Sequence, residues 1–167
     1  MSKVITFSRV FPAHHPKAGQ ETHFVEQIWN GLNILSLPVP KNKDLPHDFM
    51  WSILPLSNYG YKYHTIRAGN RWKVGDKFSP RVWSDKPYKS KQIIIAPDIE
   101  VVKVWDVEIA IELGGINING DWHFENYDTL LKTLAQNDGL SVKDFKSWFN
   151  TSSFVGQIIC WNENINY

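Results

Sequence analysis

A chain of 167 residues, 43% of them apolar and including eight Trp and nine Phe, can bury one hydrophobic core and is too apolar for a disordered chain. The single cysteine, Cys160, excludes an internal disulfide, and the net charge of +1 excludes a chain that is basic or acidic throughout. Because no apolar run approaches the ~20 residues of a membrane span and no signal-peptide pattern is present, we expect one cytoplasmic domain over residues 1–167.

The first part of the chain predicts a strand and a helix before a proline-rich segment. The β-branched and aromatic residues of 3–7 predict a strand. Residues 11–19, with two prolines and the pair His14-His15, predict a surface loop. Apolar residues recur every four positions over 21–32 and predict an amphipathic helix. Four prolines in 34–59 predict a packed loop without regular structure.

The middle of the chain predicts several strands. Residues 76–83 alternate as a strand should, and Pro80 within them favours an edge strand or a bulge. Residues 92–96 and 100–113 predict further strands. The dipeptide Asn119-Gly120 is the strongest hairpin signal in the chain, because both residues tolerate the positive φ angles of a two-residue turn.

The last third predicts two helices and a final strand. Leucines at helical spacing over 126–136 predict a helix that ends near Gly139. Ser141, three residues before an acid, predicts a capped helix through Phe149, and the apolar run 154–161 predicts a strand. Strands at both ends with short helices between them predict an α+β fold, most simply a small β-barrel with helical insertions.

The charges are distributed unevenly along the chain. Residues 60–91 contain nine Lys and Arg against two Asp, a balance of +7, whereas the remainder carries −6. Aromatic residues interleave with these cations, which suits single-stranded nucleic acid because phosphates pair with charge and bases stack on rings. A solvated strand face that alternates with core aromatics would produce the same pattern, and this alternative stays open.

Three residues of this basic segment could carry out chemistry. On a strand, Thr65 and Arg67 share one face and Lys62 lies on the other, so Lys62 can meet Thr65 only if a turn precedes the strand. Thr65 could then act as a nucleophile if Lys62, with a pKa lowered by burial, removes its proton. Arg67 suits a phosphate or a developing oxyanion. On residue types alone, a structural role for all three is the more common outcome.

A longer pattern extends this motif: Lys62-x-x-Thr65-Ile66-Arg67, then Gly75-Asp76, then Asp138-Gly139 ahead of a helix. The pattern resembles the signature of the ASCH domain family, small RNA-associated proteins of the PUA-like superfamily. The resemblance covers 3–9, about 60–108 and 126–163. It implies a PUA-like small β-barrel in which 34–59 and about 114–124 are insertions.

The resemblance also implies a cleft for a nucleoside or single-stranded RNA. Small bacterial members of the family include an amidohydrolase that removes the acetyl group of N4-acetylcytidine with a threonine, a lysine and a glutamate. Carried over to this chain, Thr65 is the nucleophile, Lys62 its activator, and Asp138 stands in place of the glutamate. No cofactor and no metal ion are expected.

The basic segment provides the other ligand-binding candidates, which are Arg67, Arg71, Lys73 and Tyr63. With Lys77, the cations Arg71 and Lys73 are expected to form a rim that tracks phosphates around the cleft.

Two alternatives to amide hydrolysis stay open. The first is a domain that binds a modified nucleotide without turnover, because aspartate is one methylene shorter than the glutamate of the amidohydrolase. The second is a ribonuclease, which would use Lys62, Arg67 and His64 for acid–base chemistry.

Overall fold

The computed structural model of the protein describes residues 2–32 and 58–167. Over these ranges it contains nine strands and three helices, arranged around two sheets. In chain order these are β1 (Lys3–Thr6), α1 (Phe24–Gly31), β2 (His64–Ala68), β3 (Lys77–Trp83), β4 (Gln92–Ile94), β5 (Ile99–Glu100), β6 (Lys103–Ala110), β7 (Gly115–Ile118), β8 (Asp121–His123), α2 (Tyr127–Asn137), α3 (Val142–Trp148) and β9 (Phe154–Cys160). The predicted α+β class is confirmed, and closure of the sheets into a PUA-like barrel stays a prediction.

The larger sheet has five antiparallel strands in the order β2-β9-β6-β7-β8. β9 pairs with a neighbour on each side and is buried from Gly156 to Cys160, as its apolar sequence predicts. β2 lies at one edge of the sheet, with Thr65 opposite Ile159. Gly156 permits the close approach of these strands, because a Cβ there would overlap the backbone carbonyl of Arg67.

The smaller sheet corrects the edge-strand prediction made from Pro80. β3 has partners on both sides, with β1 parallel on one side and β4 and β5 antiparallel on the other. The proline is tolerated because β3 changes partner beside it. β5 pairs with Lys77 and Phe78, whereas β4 pairs with Arg81 through Trp83, so the ladder on that side is interrupted at Pro80.

Helix α1 begins three residues later than the apolar spacing predicts. Glu21 forms an isolated bridge with Val10, and the Thr22 N–H donates to the Arg9 carbonyl at 2.9 Å, which holds both residues in extended backbone. His23 then has a left-handed φ of 58°, and helical geometry starts after it. The apolar face predicted for this helix is buried in the core, with Phe24, Val25, Ile28 and Trp29 as its members.

The loop before α1 is only partly the surface loop that its prolines predict. His14 is exposed, but His15 is buried, and its ring stacks on Phe11 at 4.4 Å. His15 Nε2 also lies 3.2 Å from the backbone oxygen of Asp144, next to α3. The prediction of a surface histidine pair is therefore wrong for His15, because this loop packs against a distant helix that local sequence does not reveal.

The hairpin and helix-end signals are confirmed. Asn119 and Gly120 have φ angles of 52° and 100° and connect β7 to β8. Gly139 has a φ of 78° after α2, and the Ser141 hydroxyl accepts a hydrogen bond from the Asp144 N–H at 3.1 Å at the start of α3. The segment predicted as an insertion at about 114–124 forms β7 and β8 at the far edge of the larger sheet, and 34–59 lies almost entirely outside the described residues.

Candidate active site

A cavity of about 240 Å³ opens where β1, β2, α1 and α3 meet. Its volume lies below the ~300–1,000 Å³ of clefts that hold drug-sized molecules, which fits a single base or nucleoside better than a longer strand. Among the described residues, the lining includes Thr6, Phe7, Ser8, Phe24, Lys62, Thr65, Ile66, Arg67, Trp83, Pro87, Tyr88, Asp138, Trp148 and Phe149. Four of the residues predicted for the site, Lys62, Thr65, Arg67 and Asp138, are therefore brought together.

The backbone around Lys62 is fixed by two distant helices. Its N–H donates to the Gln27 carbonyl of α1 at 3.0 Å, and the Tyr63 N–H donates to the Asn137 carbonyl of α2 at 2.9 Å. Gly31 of α1 faces the Lys62 carbonyl so closely that a Cβ would overlap it. A turn at Gly60, with a φ of 75°, precedes this segment, and the strand begins at His64. This arrangement lets the side chains of Lys62 and Thr65 reach the same cavity.

Lys62 and Asp138 form a buried ion pair at the floor of the cavity. Lys62 Nζ lies 2.6 Å from Asp138 Oδ1, with side-chain exposures of 1% and 8%, and it also donates to the Asp138 backbone oxygen. The ammonium lies 4.1 Å from the centre of the Phe24 ring. Burial lowers the pKa of Lys62 and raises the pKa of Asp138, although each charge opposes the shift of the other. Proton transfer from Lys62 to Asp138 is therefore easier within this ion pair than within an exposed one.

Thr65 and Arg67 reach the cavity from the edge strand β2. Thr65 is 5% exposed, and the hydrogen bonds of the described residues include none between its hydroxyl and Lys62 Nζ, contrary to the contact expected for an activator. Arg67 donates from Nη2 to the Thr6 carbonyl at 2.8 Å, while its buried Nε has no partner among the described residues. Burial lowers the pKa of Arg67, and Asp138 and Tyr88 oppose this shift. The guanidinium brings N–H donors to the lining of the cavity.

The other predicted ligand-binding residues do not line the cavity. Arg71 and Lys73 are exposed in the turn between β2 and β3, where the Lys73 N–H donates to Asp76 at 2.8 Å. Lys77 lies 3.7 Å from Glu100 on the exposed surface. Tyr63 stacks on Tyr61 with ring centres 5.6 Å apart. These residues lie outside the lining, and a rim of cations that tracks phosphates around the cavity stays a prediction.

Sequence reasoning missed most of the aromatic lining. Phe24 comes from α1, Trp148 ends α3 and Phe149 follows it, and all three line the cavity. The Phe24 ring lies beside Lys62. These residues were interpreted as core positions of helices, and no local signal distinguishes a core ring from one that lines a cavity. Trp83 and Tyr88 were noted only as aromatics of the basic segment, and they too belong to the lining.

His64 is buried behind the ion pair and does not line the cavity. Its Nε2 donates to the Leu134 carbonyl at 3.1 Å, so its Nδ1 accepts from the Tyr167 hydroxyl at 2.9 Å. Burial and the charge of Lys62 hold the pKa of His64 well below its usual value of 6.5. The ring is therefore neutral and fully engaged, which contradicts its use as an acid or base in the ribonuclease alternative.

This buried histidine predicts a loss of stability on acidification. Below pH 6.5, His64 binds a proton in the unfolded chain but not in the folded one, so the free energy of unfolding falls as the pH drops. The slope contributed by His64 is about 1.4 kcal/mol per pH unit below that value. Urea unfolding between pH 7.5 and 5.5 measures it, with His64→Gln as the comparison because it removes the titrating group. Equal pH dependence of the two proteins would show that His64 titrates normally.

Comparisons with protein-family models, with curated proteins and with solved structures find no match to this chain. The resemblance to ASCH domains therefore rests on the sequence pattern. No helix in the described ranges is long and apolar enough to cross a membrane. Among the described residues, no three or more His, Cys, Asp and Glu side chains are grouped to hold a metal ion.

Proposed function

We propose that the protein is an ASCH-type, PUA-like domain whose cavity binds a modified pyrimidine nucleoside and hydrolyses an amide on its base. One observation carries this proposal. Lys62, Thr65 and Arg67 come from one segment and Asp138 from another, 71 or more residues away in sequence, yet all four line the same small cavity. A nucleophilic hydroxyl, an amine with a lowered pKa, a carboxyl group and a guanidinium are the groups that acyl transfer needs.

The reaction assigns a role to each of these groups. Lys62 first passes a proton to the Asp138 carboxylate that it contacts. Its amine then takes the proton of the Thr65 hydroxyl as Oγ1 forms a bond to the acyl carbon, and the carbonyl electron pair moves to oxygen. The guanidinium of Arg67, which lines the cavity, stabilises that oxyanion. The carbon–nitrogen bond then breaks, and the proton passes from Lys62 to the departing exocyclic nitrogen. Water hydrolyses the resulting threonine ester, which releases the acid and restores Thr65.

The lining supports a flat heterocyclic ligand. Aromatic rings of Phe24, Trp83 and Tyr88 surround a floor that carries Lys62 and Asp138. A base can place its faces against such rings while its polar edge meets the charged groups. The carboxyl and amine of the floor offer both an acceptor and donors to the Watson–Crick edge of a pyrimidine.

A second candidate, a reader that binds without turnover, is favoured by the contacts of Lys62. Its Nζ donates twice to Asp138 and not to Thr65, so hydrolysis requires the amine to turn toward the hydroxyl. Asp138 is also one methylene shorter than the glutamate of the amidohydrolases that the motif resembles. In a reader, the same ion pair would serve as a fixed pair of hydrogen-bonding groups.

Incubation with N4-acetylcytidine separates the two candidates. Chromatography follows the release of cytidine and acetate, and calorimetry follows binding. Release that persists in Arg71→Ala, a residue outside the cavity, supports the hydrolase. Binding without release supports the reader, and Asp138→Glu then tests whether the longer acid restores turnover. If the wild type neither binds nor hydrolyses this nucleoside, the proposed function is wrong.

A further inference from the structure

The loop between β3 and β4 is held in one compact conformation beside the cavity. The Ser84 N–H donates to the Lys91 carbonyl at 2.9 Å and closes the base of the loop. The Asp85 N–H donates to the Ser90 hydroxyl at 3.0 Å, and that hydroxyl donates to the Lys86 carbonyl at 2.9 Å. These bonds leave Pro87 and Tyr88 at the tip, where both line the cavity.

Tyr88 is the third residue of a tight turn in which the Lys89 N–H donates to the Lys86 carbonyl at 3.1 Å, and it combines left-handed backbone with high exposure. Its φ of 63° is left-handed, a conformation that is unfavourable for a bulky L-residue. Its side chain is 88% exposed, so burial in the core does not offset that cost. The ring contacts Trp83 at a centroid distance of 5.3 Å with the planes tilted by 49°. Strained residues that persist beside a cavity commonly do so because they contact a ligand.

We propose that Tyr88 is the residue that selects planar ligands, its ring packing against the face of the base whose edge meets Lys62 and Asp138. This inference rests on the proposed function, since it assumes that the cavity takes a base. The geometry supports it in two ways. Tyr88 lies at the solvent-exposed side of the cavity, whereas the Lys62–Asp138 pair lies at its buried floor. An exposed ring there loses more water-accessible surface on binding than any buried lining residue can.

Two substitutions at one position test this role. Tyr88→Asn removes the ring but suits left-handed backbone, and Tyr88→Phe keeps the ring without its hydroxyl. We expect Tyr88→Asn to weaken the binding of N4-acetylcytidine, measured by calorimetry, roughly 5- to 150-fold, the range for loss of one base–aromatic stack. We expect Tyr88→Phe to bind within about twofold of the wild type, because stacking uses the ring face.

Urea unfolding of the same proteins separates a ligand contact from a structural role. The folding equilibrium constant of Tyr88→Asn should equal or exceed that of the wild type, because an exposed ring is lost and backbone strain is relieved. Wild-type affinity in Tyr88→Asn, or a loss of stability that matches the loss of affinity, would overturn the inference while leaving the proposed function intact. Absence of binding by the wild type itself would overturn the proposed function and this inference together.

Discussion

Replacing Lys62 by methionine should lower the free energy of unfolding by about 3–5 kcal/mol, which is the usual cost of breaking a buried ion pair from one side. The substitution leaves Asp138, with a side-chain exposure of 8%, without the Nζ that lies 2.6 Å from its Oδ1. Methionine fills most of the volume of the lysine stem, so the loss reports the stranded carboxyl group and not a cavity. Urea unfolding at neutral pH measures the effect.

Two further variants make this result interpretable. Asp138→Asn in the Lys62→Met background removes the stranded charge and should recover at least half of the lost stability. Lys3→Met breaks a pair of the same 2.6 Å length, Lys3 with Asp76, whose side chains are 38% and 25% exposed. It should have a much smaller effect, because solvent screens that pair. If Lys62→Met and Lys3→Met cost the same, the pair in the cavity is not buried in solution.

Thr65→Val should abolish the hydrolysis of N4-acetylcytidine, lowering turnover roughly 10³-fold or more, because it removes the hydroxyl oxygen that attacks the acyl carbon in the proposed reaction. Affinity for the nucleoside should change by less than about threefold, since the nucleophile acts mainly in the transition state. Valine keeps the β-branched shape that suits strand β2. Single-turnover kinetics and calorimetry measure the two quantities separately.

Thr65→Ser is the matched control, because it retains the hydroxyl and loses only a methyl group. It should keep measurable turnover. If Thr65 only binds the ligand, the wild type shows no turnover, and Thr65→Val weakens binding by one hydrogen bond, ~0.5–1.5 kcal/mol. A Thr65→Val protein that remains as active as the wild type would refute the nucleophile assignment and direct attention to water activated by Lys62.

The parts of the fold that sequence predicted well are those with short-range causes. Asn119-Gly120 forms its hairpin because the turn itself needs positive φ angles, and Ser141 caps α3 through a bond that spans three residues. The edge-strand alternative drawn from Pro80 failed because it depended on which strands lie beside β3. That neighbourhood is decided by pairing with β1, about 75 residues earlier, which no local pattern encodes.

In the candidate site too, sequence predicted the features with local causes and missed those that depend on distant packing. Local chemistry alone placed Lys62 and Thr65 on opposite faces of a strand, and the grouping of both with Asp138 followed from the motif resemblance. Arg71 and Lys73 were predicted at the site by charge, but charge along a sequence does not show where a turn carries the chain. Trp148 could not have been found, because its approach to the cavity depends on packing against Phe11, His15 and Phe24, which are more than 120 residues earlier in the chain.

Two residues without functional groups control the placement of the site. Gly31 lies against the carbonyl of Lys62, and Gly156 lies against the carbonyl of Arg67, each too close for any Cβ. In a random-mutagenesis selection for activity, both positions would therefore reject every substitution, whereas Thr65 would still accept serine. Intolerance at these glycines results from steric exclusion. The set of positions that tolerate no substitution would therefore be larger than the set of residues that take part in the chemistry.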